Sequence, residues 1–118
     1  MPKLLTRQDL HDLLLRWQAG DVTPRSVLDW AAERYAGKGW DTEDEIVDQV
    51  LLELYSLDMN LTTAEDVPHL LQVLAVPRGQ IGTAKTLQRD HARSVPLQAR
   101  RVALAKDPLY GPHCKLTK

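Results

Sequence analysis

Hydrophobic positions near the start of the chain recur at helical spacing. The apolar residues at i, i+3, i+4 and i+7 are Leu10, Leu13, Leu14 and Trp17. This spacing places them on one face of a helix, for which Thr6 is a natural N-cap and Gly20 a natural stop. A second helix follows, with Thr23 as its N-cap and Pro24 at its first position. Its apolar stripe consists of Val27, Leu28, Ala31 and Tyr35.

Two further helical patterns follow these. The third helix begins at TEDE, where Thr42 is the expected cap and Glu45 can complete a capping box. Its apolar positions form one broad side: Ile46, Val47, Val50, Leu51, Leu54 and Leu57. The fourth helix lies in TTAEDVPHLLQVLAV and has the same kind of start, with Thr62 or Thr63 as its N-cap followed by acidic residues. Both helices are therefore expected to bury one face in a shared core.

The pattern changes after residue 76. Residues 77–83 are rich in Pro, Gly and polar side chains and predict a connector. Shorter helices are expected at about 84–92 and 96–106, and the remainder has the composition of a loop or tail. No segment carries a convincing strand pattern. We predict an all-α fold, with a small bundle of about four helices over 1–76 and a basic, partly helical C-terminal arm over 77–118. The arm either belongs to the same domain or is an appended tail.

Length and composition limit the class of protein. A chain of 118 residues is expected to form one domain with its own core. The single cysteine, Cys114, excludes an internal disulfide framework and suits a reducing compartment. Charges interrupt the N-terminus too early for a signal peptide, and no apolar run is long enough to span a membrane. The expected location is the cytoplasm, with no membrane partner.

The net charge of -1 conceals a strong asymmetry. Residues 1–76 hold 14 acids and 6 Lys or Arg, whereas residues 77–118 hold 2 acids and 9 Lys or Arg. Opposite charges of this size predict either an internal clasp or two partner surfaces.

The densest negative charge lies between residues 40 and 60, where seven acids occur without a Lys or Arg. Placed at 100° per residue, five of them line the side of the third helix opposite its core face: Asp41, Asp44, Glu45, Asp48 and Glu53. Leu52 lies among them and Tyr55 lies at the edge. Apolar residues within a charged rim are typical of a binding hot spot, so we predict that these seven residues bind a basic protein partner.

Two other interpretations of the acidic side stay open. A helix of a soluble protein is often simply solvated, and single exposed apolar residues are common. Alternatively, the basic arm folds back over the acidic side, covers Leu52 and neutralises the charge internally.

Sequence motifs for catalysis and metal binding are missing. The acidic stretch lacks the glycine and glutamate of a calcium loop, and the four histidines are scattered at positions 11, 69, 91 and 113. Phosphate-binding, dinucleotide-binding and nucleophile-elbow motifs do not occur. We therefore expect a non-enzymatic protein without catalytic residues, metal or cofactor.

The basic arm supports an alternative function, nucleic-acid binding. Five cations lie close together in sequence: Lys85, Arg89, Arg93, Arg100 and Arg101. They are sufficient to attract phosphates, although the preceding 76 residues would repel the same polyanion. A purely oligomeric helical scaffold is the third possibility.

Residues 18–35, QAGDVTPRSVLDWAAERY, resemble small bacterial immunity proteins of the colicin D immunity type. The shared pattern is a helix, a short polar turn, a Val-Thr step and a helix with hydrophobic and aromatic anchors. The resemblance covers fewer than twenty residues, and no functional residue can be transferred from it. It implies an all-helical protein that blocks a cationic toxin nuclease through an acidic face.

Overall fold

The computed structural model describes residues 3–37 and 39–114. Within these ranges the chain is mostly helical, with one very small sheet. The strands are β1 (Lys3–Leu5) and β2 (Trp40–Thr42). The helices are α1 (Arg7–Gln18), α2 (Pro24–Tyr35), α3 (Glu45–Tyr55), α4 (Leu57–Asn60), α5 (Val67–Leu74), α6 (Ile81–Ser94), α7 (Leu97–Leu104) and α8 (Gly111–Cys114), with a 3₁₀ turn at Ala64–Asp66.

The first two helix starts are those that the sequence predicts. The Thr6 hydroxyl accepts a hydrogen bond from the Asp9 N–H, and the Asp9 carboxylate accepts one from the Thr6 N–H, which completes a capping box. The Thr23 hydroxyl accepts a hydrogen bond from the Ser26 N–H and so caps α2, with Pro24 at the first helical position. These local bonds satisfy N–H groups that the helices leave without partners.

The predicted cap of α3 is wrong. Asp44 is the N-cap, and its carboxylate accepts hydrogen bonds from the Ile46 and Val47 N–H groups at 2.9 and 3.0 Å. Thr42 instead ends β2. Asp is at least as good an N-cap as Thr, so the sequence offers two start sites, and the sheet decides between them.

The expectation that the chain contains no strand is also wrong. β1 and β2 pair in parallel, with Lys3 opposite Trp40 and Leu5 opposite Thr42. Each strand has three residues, which is too short to show a period of two in the sequence. The sheet places the start of α3 beside the start of α1, because both helices follow directly from it.

The hydrophobic core lies mainly between α1, α2, α3 and α5. The helix α2 packs on α3, and α1 packs on α5. The residues of α3 that the pattern assigns to the core are all buried: Ile46, Val47, Val50, Leu51, Leu54 and, just beyond the helix, Leu57. None of the described helices is long and apolar enough to cross a membrane.

The C-terminal arm packs on this core. The helix α6 contacts α3 and α5, and α8 contacts α4. Tyr110 is 1% exposed, and its hydroxyl donates a hydrogen bond to the Thr62 carbonyl at 2.6 Å. The segment around α8, which the composition predicts to be a loop or tail, thus contributes Leu109, Tyr110 and Cys114 to the core.

Candidate functional site

Four of the seven residues predicted to bind a partner are exposed on α3 or just before it. Glu45, Asp48 and Leu52 are exposed and follow one another at i, i+3 and i+7, so they lie on one face. Asp41 is exposed just before them, on β2. We call these four residues the acidic stripe. Within the described residues, no ion pair engages any of its three carboxylates.

An aromatic pair adjoins the acidic stripe. Tyr55, three residues after Leu52 on α3, stacks on Tyr35 of α2 with ring centroids 4.7 Å apart and planes at 22°. Tyr35 is 43% exposed and Leu52 is 37% exposed. The apolar spacing of the second helix predicts a core position for Tyr35, so the pattern misses this member of the surface. Its position at the last residue of α2 explains the exposure.

Asp44 does not belong to the exposed side, contrary to the prediction. Its side chain is nearly buried and forms ion pairs with Arg7 at 3.0 Å and with Arg78 at 3.6 Å. Burial alone would raise the pKa of Asp44, but hydrogen bonds from the Val47 N–H and from the Arg7 side chain outweigh it and lower the pKa. Asp44 therefore fixes the start of α3 and is unavailable to a partner.

Glu53 is the second misplaced acid. At 100° per residue it lies about 20° from the buried Ile46, at the rim of the core face. Its carboxylate accepts a hydrogen bond from the Thr62 hydroxyl at 3.2 Å and lines a cavity on the side away from the aromatic pair. Burial raises the pKa of Glu53, with a smaller contribution from the nearby Asp66 carboxylate.

This cavity is about 320 Å³ in volume and lies between the acidic half and the arm. Its wall includes residues from α3 to α8, ten of them polar or charged and five apolar. The lining residues are Glu53, Met59, Asn60, Leu61, Thr62, Asp66, His69, Gln88, His91, Ala92, Val95, Leu97, Arg100, Arg101 and His113.

Asp66 is the centre of the polar wall. It is 2% exposed and receives two hydrogen bonds from Arg100, at 2.7 and 3.0 Å, and one from the Thr63 N–H at 2.9 Å. His91 Nε2 lies 2.7 Å from its other oxygen. Burial would raise the pKa of Asp66, but the Arg100 side chain and the Thr63 N–H outweigh burial and lower it. The carboxylate stays charged and joins α5 to the arm.

Two histidines stack beside Asp66. The rings of His69 and His91 are 3.9 Å apart and nearly parallel, at 8°. Burial, together with the neighbouring His91, lowers the pKa of His69 to about 4. His69 is therefore neutral at physiological pH. The sequence gives no signal for this arrangement, because 22 positions separate the two histidines and nothing marks them as neighbours.

The five basic residues of the alternative site do not form one surface. Arg100 is mostly buried, since its guanidinium bonds Asp66 and the Leu61 carbonyl, and it cannot bind nucleic acid as predicted. Arg101 lines the cavity. The other three cations, Lys85, Arg89 and Arg93, are exposed and follow one another at i, i+4 and i+8 on α6.

The arm covers the acidic half only in part. Lys85 borders a shallow depression together with Glu45 and Asp48. Leu52 is not among the residues that line this depression, and it stays exposed. Within the described residues Lys85 thus borders one edge of the acidic stripe without forming an ion pair there, and the apolar end of the stripe stays uncovered.

Within residues 3–37 and 39–114, no group of three or more His, Cys, Asp or Glu side chains could hold a metal ion. Comparison of the chain with protein-family models, curated proteins and solved structures found no match. The geometry of the acidic stripe and of the cavity is therefore the basis for the functional proposals.

Proposed function

We propose that this chain is a non-enzymatic protein-interaction module that binds a basic protein through the acidic stripe and the aromatic pair. The observation that supports it most is that the exposed Leu52 lies on the same face of α3 as carboxylates that form no ion pair. Leu52 is 37% exposed and Tyr35, in the adjoining aromatic pair, is 43% exposed, and within the described residues neither Glu45 nor Asp48 forms an ion pair. Apolar anchors within a charged rim suit a protein partner better than a small ligand.

The two parts of the surface act on different steps of binding. The carboxylates at Asp41, Glu45 and Asp48 attract a basic partner over a distance of roughly one Debye length and accelerate association. Leu52 and the aromatic pair lose contact with water in the complex, which slows dissociation. Tight binding requires both parts.

The partner that we propose is a cationic toxin nuclease, which the protein would neutralise. This step rests on the resemblance of residues 18–35 to small immunity proteins. That segment ends at Tyr35, which is the residue that α2 contributes to the proposed surface. A nuclease is basic because it binds phosphates, so its active-site face would complement the acidic stripe.

Capture of a partner protein from native cell extract tests the proposal when the charge of one residue in the acidic stripe is reversed. We expect the intact protein to retain a basic protein at moderate salt and Asp48→Lys to lose it, because a like charge at the rim repels the partner. Asp90→Lys is the matched control, since it makes the same change on an exposed position of α6. Retention by Asp48→Lys equal to that by the intact protein would contradict the proposal.

The exposed face of α6 favours a second candidate, binding of a polyanion. Lys85, Arg89 and Arg93 lie within about 80° of one another around the helix and present three cations to solvent. In this case capture would be sensitive to nuclease treatment, would weaken steeply with salt and would be lost in Arg89→Gln. The intact acidic stripe would then be irrelevant to capture.

A further inference from the structure

The cavity between the acidic half and the arm contains one unpaired charge of each sign. Most of its charged groups satisfy one another: Asp66 pairs with Arg100, and His113 lies 3.2 Å from Asp58. Glu53 and Arg101 remain. Both line the cavity, yet within the described residues neither forms an ion pair, with the other or with a third group.

The Glu53 carboxylate is held in place while one oxygen stays available. The Thr62 hydroxyl donates to Oε1, and Oε2 has no hydrogen bond within the described residues. Desolvation by burial, together with the nearby Asp66, makes this carboxylate costly to keep charged, as its raised pKa shows. A cationic group placed against it would remove that cost.

One part of the wall is apolar. Leu61, Val95 and Leu97 line the cavity, and Met59 lies at its edge with an exposed side chain. A volume of about 320 Å³ is at the lower end of the range for small-molecule sites. It suits a compact metabolite with a short hydrocarbon portion and is too small for a nucleotide with its phosphates.

The backbone of the wall is held in an unfavourable conformation. Leu61 has φ of 54° and ψ of 39°, in the left-handed region that residues other than glycine rarely adopt. The Arg100 guanidinium donates to its carbonyl at 3.1 Å and maintains this geometry. Backbone strain of this kind concentrates at ligand-binding sites, where the surrounding structure fixes it.

We propose that this cavity binds a small zwitterion, namely a free α-amino acid with an apolar side chain. Its ammonium group would contact Glu53, its carboxylate would contact Arg101, and its side chain would pack on Leu61, Val95 and Leu97. One ligand would then supply a counter-charge for each of the two unpaired groups and an apolar body for the apolar part of the wall. The binding is independent of the acidic stripe, which lies on another part of α3.

Isothermal titration of the full chain with leucine and two truncated analogues tests this proposal. The analogues are 3-methylbutylamine, which lacks the carboxylate, and 4-methylpentanoate, which lacks the ammonium group. We expect leucine to bind and each analogue to bind at least about tenfold more weakly, because each leaves one partly buried charge of the cavity wall unpaired. The proposal is supported if leucine, isoleucine, valine or methionine binds saturably with a dissociation constant below about 10 mM and the two analogues show the expected loss of affinity.

Two variants assign the ends of the ligand. Glu53→Gln is expected to lower the affinity for leucine at least about tenfold and to leave the affinity for 4-methylpentanoate nearly unchanged. Arg101→Gln is expected to lower the affinity for leucine by a similar factor and to leave the affinity for 3-methylbutylamine nearly unchanged. Glu33→Gln and Arg25→Gln, at exposed positions of α2 away from the cavity, are matched controls. Circular dichroism verifies folding, and should Glu53→Gln unfold, Arg101→Gln and the analogues still decide.

Two outcomes would overturn the proposal. The first is no saturable heat with any of the four amino acids at about 10 mM. The second is equal affinity for leucine and both analogues. Neither outcome bears on the protein-interaction proposal, because the partner surface and the cavity share no residue.

Discussion

At the scale of the residue, Asp66 shows how a buried carboxylate connects distant parts of the chain. It accepts hydrogen bonds from Thr63, three positions before it, and from Arg100, 34 positions after it. The first contact is a local capping box, and the second is a charge pair with little exposure to water. One side chain therefore completes the cap of the 3₁₀ turn before α5 and attaches the arm.

Asp66→Asn is expected to be strongly destabilising. It leaves the Arg100 guanidinium buried without its counter-charge, which lowers the free energy of unfolding by about 3 kcal/mol. Urea denaturation followed by circular dichroism measures the change. Asp90→Asn, on an exposed position of α6, is the control and should change stability by less than about 0.5 kcal/mol. A loss below about 1 kcal/mol in Asp66→Asn would show that the pair is not a structural anchor.

His69 predicts how stability depends on pH. In the folded chain the pKa of His69 is about 4, below the ordinary value of 6.5. Between these two pH values His69 is therefore protonated in the unfolded chain and neutral in the folded chain. This contribution to stability is complete above pH 6.5 and is lost progressively as the pH falls towards 4. In His69→Gln, urea denaturation at pH 7, 5.5 and 4.5 should therefore show a smaller decline than in the intact protein. Parallel declines would contradict the assignment.

At the scale of the element, two variants at the start of α3 distinguish the observed N-cap, Asp44, from the expected one, Thr42. Asp44→Ala removes a cap and two ion pairs and should cost about 2 kcal/mol of stability. Thr42→Ala removes no helix cap and should cost clearly less. Urea denaturation of the two variants side by side is the measurement. A larger loss of stability in Thr42→Ala than in Asp44→Ala would contradict Asp44 as the N-cap and support Thr42, the cap predicted from the sequence.

A substitution of Tyr110 tests whether the C-terminal arm is part of the folded core or an appended tail. Tyr110→Ala should cost about 3–5 kcal/mol, because it opens a cavity in the core and removes the hydrogen bond to the Thr62 carbonyl. An appended tail would predict no change in stability. Val102→Ala, at an exposed position of the same arm, should cost less than about 0.5 kcal/mol in the same denaturation experiment.

Sequence patterns predict some of these elements and not others, for physical reasons. The helices α1, α2 and α3 follow from apolar stripes and local caps, which are properties of neighbouring residues. The strands have three residues each and carry no period. The segment around α8 has the composition of a loop, and only its long-range packing makes Tyr110 a core residue.

At the scale of the whole molecule, the charge asymmetry has two roles. Part of it is internal, because Arg78 and Arg100 of the arm pair with Asp44 and Asp66 of the acidic half. The remainder is presented to solvent on the acidic stripe. The helical wheel correctly places Glu45, Asp48 and Leu52 on the surface, since that depends on α3 alone. It fails for Asp44, whose ion-pair partners come from residues distant in sequence.

The most direct test of the proposed partner surface is capture from native cell extract by Leu52→Arg and Leu15→Arg, side by side with the intact protein. Leu52 is 37% exposed and Leu15 is 42% exposed, so both changes place a charge at a similar solvent-facing position, and both should leave the fold intact. We expect Leu15→Arg to retain the same basic protein as the intact chain and Leu52→Arg to lose it. Equal capture by the two variants would contradict the assignment of the acidic stripe as the binding surface.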